Sequence, residues 1–516
     1  MTVIVCSAAS VSALAMPLLT LWQLSGYRIK TSRKSVAAVA ACFIVAVVSA
    51  AASAAMYTYV AGEAVYWIQP ALTLICACAV GAWEMRAFSK TPPVFTARFV
   101  RLCVVTAVAG AAAGAAARFV PQTVGVVGAE AAFIPVAIFA APLCALCGKA
   151  LTAPIEKAIA AFYLNRCRRD LRSRRGMAVV GITGSFGKTG VKKYLTAMLS
   201  RKYRTQCTPK SFNTPMGICR SVNGLPADTE IFVVEMGARR RGDIARLCRL
   251  TDPCYGVITG VTAQHMETFG SIDNVYAAKK ELPDSVCAGG GTCCFNTANA
   301  LAARMYSECG GRKISSGPNG DVRAEDVSVG SFGSAFTLRF PSGEKVRCKT
   351  RLLGRANVQN VTLAAAAAYD LGVSPADIAD AISELTPAEH RMQPIVSRGM
   401  TIIDDSYNAN PEGVRNAFDT IARFEGKKAV ATQGIVEGGK DGARLNEELG
   451  RELAAVADVV VLIGKNAPDI RRGLTSAGYR GTLYVVRGLE DAKHVFATGL
   501  GGVSVLLIQN DLPDNY

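Results

Sequence analysis

The chain of 516 residues lacks the features of several protein classes. Only 19% of its residues are charged and half are hydrophobic, which excludes a disordered or fibrous chain. Its 17 cysteines have neither the spacing of a disulfide framework nor that of a zinc motif. The only Cys-x-x-Cys, Cys144–Cys147, lies in an apolar run, and we interpret both cysteines as packing residues. This pattern favours a reducing compartment for the folded domains.

Acidic residues are scarce near the N-terminus. Residues 1–150 contain ten Lys or Arg but only three Asp or Glu, and residues 154–175 contain seven against two. The rest of the chain is nearly balanced, so the net charge of +17 comes from the first third. Because these cations lie between apolar runs, they indicate membrane topology and not nucleic-acid binding.

Long apolar runs are concentrated in the first 150 residues. A helix needs about 20 apolar residues to cross a bilayer. The candidate runs are Thr2–Leu24, Ser35–Ala55, Ala64–Ala82, Leu102–Ala117 and Ala131–Cys147. We therefore expect a multi-span α-helical membrane region of about five transmembrane helices at residues 1–150. By the positive-inside rule, the basic loops predict that the N-terminus lies outside the cell membrane and that the domains after Lys149 lie in the cytoplasm.

An arginine-rich segment follows at residues 151–176. With Pro154 near its start, it predicts a basic amphipathic linker helix. Such a helix could contact anionic lipid headgroups or an acidic substrate, or it could be a solvated linker.

From Met177 onward, short apolar runs alternate with helix-like segments. This alternation is typical of a mostly parallel sheet covered by helices on both faces. We predict an α/β region of two domains, a P-loop central ATPase domain at residues 177–386 and a C-terminal doubly wound, Rossmann-like domain at residues 387–516. Alternating apolar and polar residues at Asp321–Leu353 predict a small β-rich excursion within the central domain.

The clearest motif is Gly184-Ser185-Phe186-Gly187-Lys188-Thr189, which follows a short apolar strand. Backbone amides of such a loop bind phosphate oxygens together with the N-terminus of the next helix. Lys188 would reach the terminal phosphates and Thr189 would ligate Mg²⁺. The spacing is shorter than the full Gly-x4-Gly-Lys-Thr motif, so an ordinary turn is the alternative.

Three further candidates have structural explanations as well as functional ones. Glu235 ends an apolar strand, where it could hold Mg²⁺ beside the loop or simply form a cap or an ion pair. His265 could be a metal ligand, although a lone histidine is more often structural. Lys279, taken alone, is best explained as a solvated charge.

Taken in order, these segments resemble the Mur ligases, the ATP-dependent amide-bond ligases of peptidoglycan synthesis. The resemblance covers residues 176–516. It rests on the phosphate loop, Glu235-Met236-Gly237-Ala238, His265-Met266-Glu267-x-Phe269-Gly270-Ser271 and Ala278-Lys279-x-Glu281-Leu282. Two more segments are similar to the D-alanyl-D-alanine-adding branch: Asp404-Asp405-Ser406-Tyr407-Asn408-Ala409-Asn410-Pro411 and Asn510-Asp511-Leu512-Pro513-Asp514. The predicted membrane region stands in place of the family's UDP-sugar domain.

The resemblance implies roles for individual residues. It implies catalytic roles for Lys188, His265 and Lys279, with Lys279 carbamylated. It implies a Mg²⁺ site at Thr189, Glu235, His265 and Lys279. It implies ATP contacts at Gly184, Ser185, Gly187, Lys188, Thr189, Asn357, Asn360, Arg391 and Asp405. It implies substrate contacts at Ser406, Tyr407, Asn408 and Asn410.

The resemblance also implies a reaction. D-alanyl-D-alanine would be added to a UDP-N-acetylmuramoyl-tripeptide through an acyl phosphate, with ATP and Mg²⁺ as cofactors. Its expected partners are the peptidoglycan precursor, the dipeptide, membrane lipid and other cell-wall enzymes, but not nucleic acid.

Two alternatives stay open. The missing UDP-sugar domain favours a membrane-bound ligase or amidating enzyme acting on a lipid-linked wall precursor. A weakly active ATP-binding scaffold for wall enzymes is the other alternative. Gly190, Gly260, Asn299 and Ala356 depart from the family pattern and could alter the substrate or reduce activity.

Overall fold

The structure is a computed structural model. It describes residues 2–24, 36–48, 65–88, 93–116, 140–263, 266–397, 399–407, 411–436 and 441–509. The chain divides into two compact units, whose described residues fall within 2–162 and within 163–509.

The first unit is helical where it is described. Its helices are α1 (Thr2–Leu24), α2 (36–48), α3 (Val65–Phe88), α4 (Ala97–Ala116) and the first part of α5 (Ala141–Ser173). They bury small and aliphatic side chains against one another, among them Val11, Leu14 and Ala77. A Cβ on Gly81 would lie 2.4 Å from the Ala13 carbonyl oxygen, so α1 and α3 approach each other closely.

The predicted multi-span membrane region is wrong. Across the described ranges, the structure contains no helix with both the length and the apolar character needed to cross a bilayer. The predicted cell-membrane location and N-terminus-outside topology rested on those spans and are wrong with them. A bilayer span needs about 20 apolar residues in one continuous helix, and an apolar run in the sequence does not show that a helix of that length and character forms, which explains the error. The runs Ser35–Ala55 and Ala131–Cys147 lie partly outside the described residues.

The second unit begins with a sheet of six parallel strands in the order β2-β3-β1-β4-β5-β6. The strands are β1 (Ala178–Thr183), β2 (Thr205–Cys207), β3 (Ile231–Glu235), β4 (Tyr255–Ile258), β5 (Thr292–Asn296) and β6 (Arg312–Ser316). The helices are α6 (Lys188–Leu199), α7 (Pro215–Asn223), α8 (Asp243–Thr251), α9 (Met266–Phe269), α10 (Ile272–Ala288) and α11 (Ala300–Glu308). This is the α/β arrangement that the alternation predicts.

Buried residues cover both faces of this sheet. Val180 and Ile182 of β1 belong to one core with Leu195 of α6, whereas Val179 belongs to the opposite core. In the parallel register, Ile182 lies opposite Glu235 of β3. In the strand order, β2 and β3 lie on one side of β1, and β4 to β6 lie on the other side. The strand order therefore reverses at β1, and ligands are expected at the carboxyl end of this strand.

A small antiparallel sheet forms the β-rich excursion. Its strands are β7 (Arg323–Gly330), β8 (Gly333–Arg339) and β9 (Lys345–Thr350). Two helices follow it, α12 (Arg355–Asp370) and α13 (Pro375–Glu384). The run of alanines at 364–368 in α12 is completely buried, which lets this helix lie close against α6 and the sheet.

A second six-stranded sheet has the order β10-β11-β15-β12-β13-β14, with only β10 antiparallel. Its strands are β10 (Gln393–Ser397), β11 (Met400–Asp405), β12 (Lys427–Thr432), β13 (Val459–Ile463), β14 (Thr482–Val486) and β15 (Val503–Gln509). Its helices are α14 (Pro411–Ile421), α15 (Gly442–Ala454), α16 (Ala467–Ser476) and α17 (Leu489–Thr498). Helices α14, α15 and α16 pack on one face and α17 on the other.

Helices α15 and α16 meet at two glycines, Gly450 and Gly473, where the backbones are in close contact. A Cβ on Gly450 would lie 2.1 Å from the Ile470 carbonyl oxygen. We expect Gly450→Ala to lower the free energy of unfolding by about 1–3 kcal/mol, because the helices must move apart. Gly442 starts the same helix with open space around it. Gly442→Ala should therefore stay within about 0.5 kcal/mol of the wild type. Urea denaturation monitored by circular dichroism would measure both, and equal effects would contradict the close packing.

Candidate active site

The candidate phosphate loop, residues 184–189, joins β1 to α6. Gly184 has no room for a side chain, because a Cβ there would lie 2.0 Å from the Thr259 hydroxyl oxygen. Gly187 has a φ of 75°, in the left-handed region that favours glycine. The two glycines let the backbone turn directly into α6, whose first N–H groups have no partner within the helix. This geometry suits the binding of an anion.

Lys188 is the first residue of α6. Its ammonium donates to the carbonyl oxygens of Gly184 and Ser185 at 2.8 and 3.2 Å. Burial lowers the pKa of Lys188 to about 8, while the Glu235 carboxylate opposes this shift and Arg391 adds to it. Its present partners are neutral carbonyls, so a phosphate oxygen would be a stronger acceptor for the same ammonium.

Glu235 lies at the end of β3 and is 1% exposed. Its Oε2 accepts a 3.0 Å hydrogen bond from the Thr189 hydroxyl and lies 3.2 Å from the Lys192 ammonium. Its Oε1 accepts a 3.1 Å hydrogen bond from the Asn213 amide. Burial alone would raise the pKa of Glu235, but Lys192, Lys188 and Asn213 together hold it below its ordinary value. The carboxylate is therefore charged.

Lys192 and Asn213 join this cluster although no sequence motif points to them. Lys192 lies one helical turn after Lys188, and this spacing places both side chains on one face of α6. That periodicity is the signal that could have found Lys192. Asn213 precedes α7 in a loop, and only the tertiary fold brings it to Glu235.

Lys279 lies on α10 and is 1% exposed. Burial lowers the pKa of Lys279 to about 7, and nearby Lys188 lowers it further, whereas Asp243 and Glu281 act in the opposite direction. The carboxylate of Glu281 accepts hydrogen bonds from backbone N–H groups at the start of α8, which fixes α10 to that helix. The structure thus places Lys279 in the interior beside the phosphate loop, and not on the solvated surface.

Asn357 and Asn360 lie near the start of α12. The Asn357 side chain accepts a 2.9 Å hydrogen bond from the Tyr194 hydroxyl and donates to the Leu353 carbonyl oxygen. A Cβ on Gly187 would lie 2.6 Å from Oδ1 of Asn360. Asn360 therefore borders the phosphate loop, while Asn357 ties α12 to α6.

Arg391 lies in the segment that connects the two large sheets. Its guanidinium stacks on Tyr407, 4.2 Å from the ring centroid. Asp405 ends β11, and its Oδ1 accepts a 3.2 Å hydrogen bond from the Met392 backbone. Burial raises the pKa of Asp405 to about 7, although Arg391 and that hydrogen bond oppose the shift. The charge of Arg391 also contributes to lowering the pKa of Lys188, after burial.

Two of the predicted substrate residues lie beside this segment. The Ser406 hydroxyl donates to Asp404 at 2.6 Å, and the other Asp404 oxygen lies 2.8 Å from Nδ1 of His390. Tyr407 is 47% exposed. Three predicted site residues and one motif lie outside the described residues: His265, Asn408, Asn410 and Asn510–Asp514.

Three departures from the family pattern have a structural context. A Cβ on Gly260 would lie 2.5 Å from the Phe186 ring, so the loop phenylalanine occupies the space that a side chain at 260 would need. Around Gly190 the nearest atom is 3.5 Å from an added Cβ, which leaves room for a larger residue. Asn299 caps α11 and binds the backbone that follows β4.

This arrangement combines an anion site with oxygen ligands. The loop amides, Lys188 and Arg391 supply positive potential, and Thr189 and Glu235 supply the hydroxyl and carboxylate oxygens that Mg²⁺ prefers. Over the part of the chain that the structure describes, no cluster of three His, Cys, Asp or Glu side chains converges. Thr189 and Glu235 leave coordination positions open for phosphate oxygens, so these residues fit a Mg²⁺ ion shared with phosphate.

Two family models match the chain. The Mur ligase middle domain matches residues 182–368, and the Mur ligase glutamate ligase domain matches residues 390–507. The first contains the phosphate loop, Glu235 and Lys279, and the second contains Arg391 and Asp405.

Similar proteins carry the name UDP-N-acetylmuramoyl-tripeptide–D-alanyl-D-alanine ligase. The protein from Bacillus subtilis is 33% identical over 58% of this chain and 65% of its own length. The protein from Escherichia coli is 30% identical over 57% of this chain and 66% of its own length. The chain thus spans slightly less than two thirds of these relatives.

Solved structures agree with the fold. A crystal structure of MurF from Acinetobacter baumannii has a TM-score of 0.63 at 25% identity, covering 69% of this chain and 78% of its own. MurF from Thermotoga maritima, solved in complex with ADP, has a TM-score of 0.59 at 24% identity, covering 68% and 80%. With two matched domains in the same order, and with the fold of these structures, the chain belongs to the Mur ligase family.

Proposed function

We propose that the chain is an ATP-dependent ligase that adds D-alanyl-D-alanine to a UDP-N-acetylmuramoyl-tripeptide through an acyl phosphate. The names of its relatives support the choice of substrates. The contact between Thr189 on the phosphate loop and Glu235 at the end of β3 is the observation that carries the proposal. It joins the candidate phosphate and metal ligands in one site.

The reaction must bring two anions together. The substrate carboxylate attacks the γ-phosphate of ATP, ADP leaves, and the amine of the dipeptide then displaces phosphate from the acyl phosphate. Lys188 and Arg391 lower the repulsion between carboxylate and triphosphate by placing positive charge beside the loop. Thr189 and Glu235 would hold Mg²⁺, which supplies further charge neutralisation when bound.

Lys279 has the burial that a carbamylated lysine requires. A neutral amine reacts with CO₂ to give a carbamate and a proton, and burial favours the neutral amine. The resulting oxygen anion would add a ligand to the site of Thr189 and Glu235. His265 is proposed as the remaining ligand on the family resemblance alone.

The remaining roles are proposed on placement and family resemblance. Asn360 borders the loop, and Asp405 lies next to the segment that carries Arg391, so both are proposed to contact ATP. Ser406 and Tyr407, with Asn408 and Asn410, are proposed to contact substrate. A role beside other cell-wall enzymes stays a prediction, and the membrane-lipid partner has lost its support with the predicted spans.

The first experiment is phosphate release by the full-length chain with ATP, the UDP-linked tripeptide and D-alanyl-D-alanine. Turnover should require both substrates, and Lys188→Ala should reduce it at least ~100-fold because the loop loses its cation. Lys202→Ala, which removes an exposed lysine from the same domain, should keep full activity. ATP binding without turnover would favour the scaffold, and an active Lys188→Ala variant would overturn the phosphate-loop assignment.

Glu235→Gln tests the proposed metal ligand. The amide keeps the shape of the side chain but removes its charge, so we expect ATP turnover to fall ~100-fold or more and to need more Mg²⁺. Glu230→Gln, at an exposed ion pair with Arg204, is the matched control and should be silent. Mg²⁺ titrations of phosphate release would measure both, and an unchanged Mg²⁺ requirement in Glu235→Gln would contradict the assignment.

Lys279→Ala tests the carbamate. We expect it to lose at least ~100-fold in turnover, because a metal ligand is missing. Its neighbour Lys280 forms an exposed ion pair with Asp284, and Lys280→Ala should behave as wild type. Carbon-13 NMR in labelled bicarbonate should show one carbamate resonance in wild type and Lys280→Ala. A resonance that persists in Lys279→Ala would place the carbamate elsewhere.

A further inference from the structure

Two cysteine sulfurs lie in contact beside the sheet of the central domain. The Sγ atoms of Cys287 and Cys309 are 3.1 Å apart. Cys287 lies in the last turn of α10, and Cys309 follows the last turn of α11. Both side chains are half-buried, so a small reagent can reach the pair while the fold holds the two sulfurs together.

The backbone packs closely around the pair. A Cβ on Gly311 would lie 2.7 Å from Sγ of Cys287, so a side chain at 311 would press against this sulfur. The Lys313 ammonium donates to the carbonyl oxygen of Cys309 at 2.8 Å and fixes the backbone at that residue. Cys293 lies nearby on β5 but is completely buried, which separates it from solvent.

We propose that Cys287 and Cys309 form a reversible oxidation site, which a low-molecular-weight disulfide such as glutathione disulfide converts to an intramolecular disulfide. A disulfide bond is about 2.05 Å long, so the sulfurs need to approach by only about 1 Å. This inference does not depend on the proposed ligase activity.

The chemistry is two successive thiol–disulfide exchanges. The thiolate of Cys309 attacks one sulfur of glutathione disulfide, whose S–S bond breaks, and one glutathione thiolate leaves. The thiolate of Cys287 then attacks Sγ of Cys309 and expels the second glutathione thiolate. Two protein thiols are oxidised and one disulfide is reduced to two thiols.

The disulfide would join the ends of two helices. It closes a loop through β5 and α11, which reduces the conformational freedom of the unfolded chain and stabilises the domain. Helix α10 also carries Lys279, so the cross-link would restrain the end of the helix that bears a proposed metal ligand.

The test uses the full-length chain treated with glutathione disulfide, then alkylated and mapped without reduction. We expect a cross-linked peptide containing Cys287 and Cys309, and a higher Tm that dithiothreitol reverses. Cys287→Ser should stop at a mixed disulfide on Cys309 with no rise in Tm. Cys254→Ser, which removes an exposed cysteine of the same domain, should still form the cross-link.

Mapping the wild-type protein keeps the test independent of variant folding. A wild type that stops at the mixed disulfide, or that cross-links another pair, would overturn the proposal. A complete cross-link without a change in Tm would contradict the stabilisation.

Discussion

The candidate active site depends on keeping one carboxylate charged inside the protein. Glu235 is almost inaccessible to water, and an unpaired charge there would be strongly destabilising. Lys192 compensates the charge, while Thr189 and Asn213 satisfy both carboxylate oxygens with hydrogen bonds. Two of these partners lie on the helix that starts at the phosphate loop. The same contacts that neutralise Glu235 therefore hold the loop against β3.

The register of the sheet makes this arrangement possible. Because β1 and β3 are adjacent and parallel, the residues that follow β1 emerge beside the end of β3. Glu235 thus meets the Thr189 hydroxyl and the Lys192 ammonium at the carboxyl end of the sheet. Lys279 on α10 is buried as well, and the nearby Lys188 contributes to lowering its pKa.

The C-terminal sheet contributes through the segment that connects it to the first. Lys193 of α6 donates to Thr386 and Pro387 at 2.8 Å each, which anchors the start of that segment to the phosphate-loop helix. His390 and Met392 then adopt positive φ angles of 59° and 47°, unusual for residues other than glycine. Backbone strain of this kind persists where the surroundings enforce it. Here it accompanies the stacking of Arg391 on the Tyr407 ring.

The α/β fold of the second unit, its small β-rich excursion and the candidate phosphate loop could be predicted from the sequence. These rest on local signals, since alternating apolar runs define strands and helices, and glycine is required where the backbone turns tightly at Gly187. An apolar run does not show how long and how apolar the helix formed there is, so the N-terminal runs could not be interpreted correctly from the sequence alone. Nor could the sequence identify Asn213 or the burial of Lys279, because neither shows a local pattern. These points depend on the tertiary structure, since charge compensation inside a protein depends on which distant residues the sheet brings together.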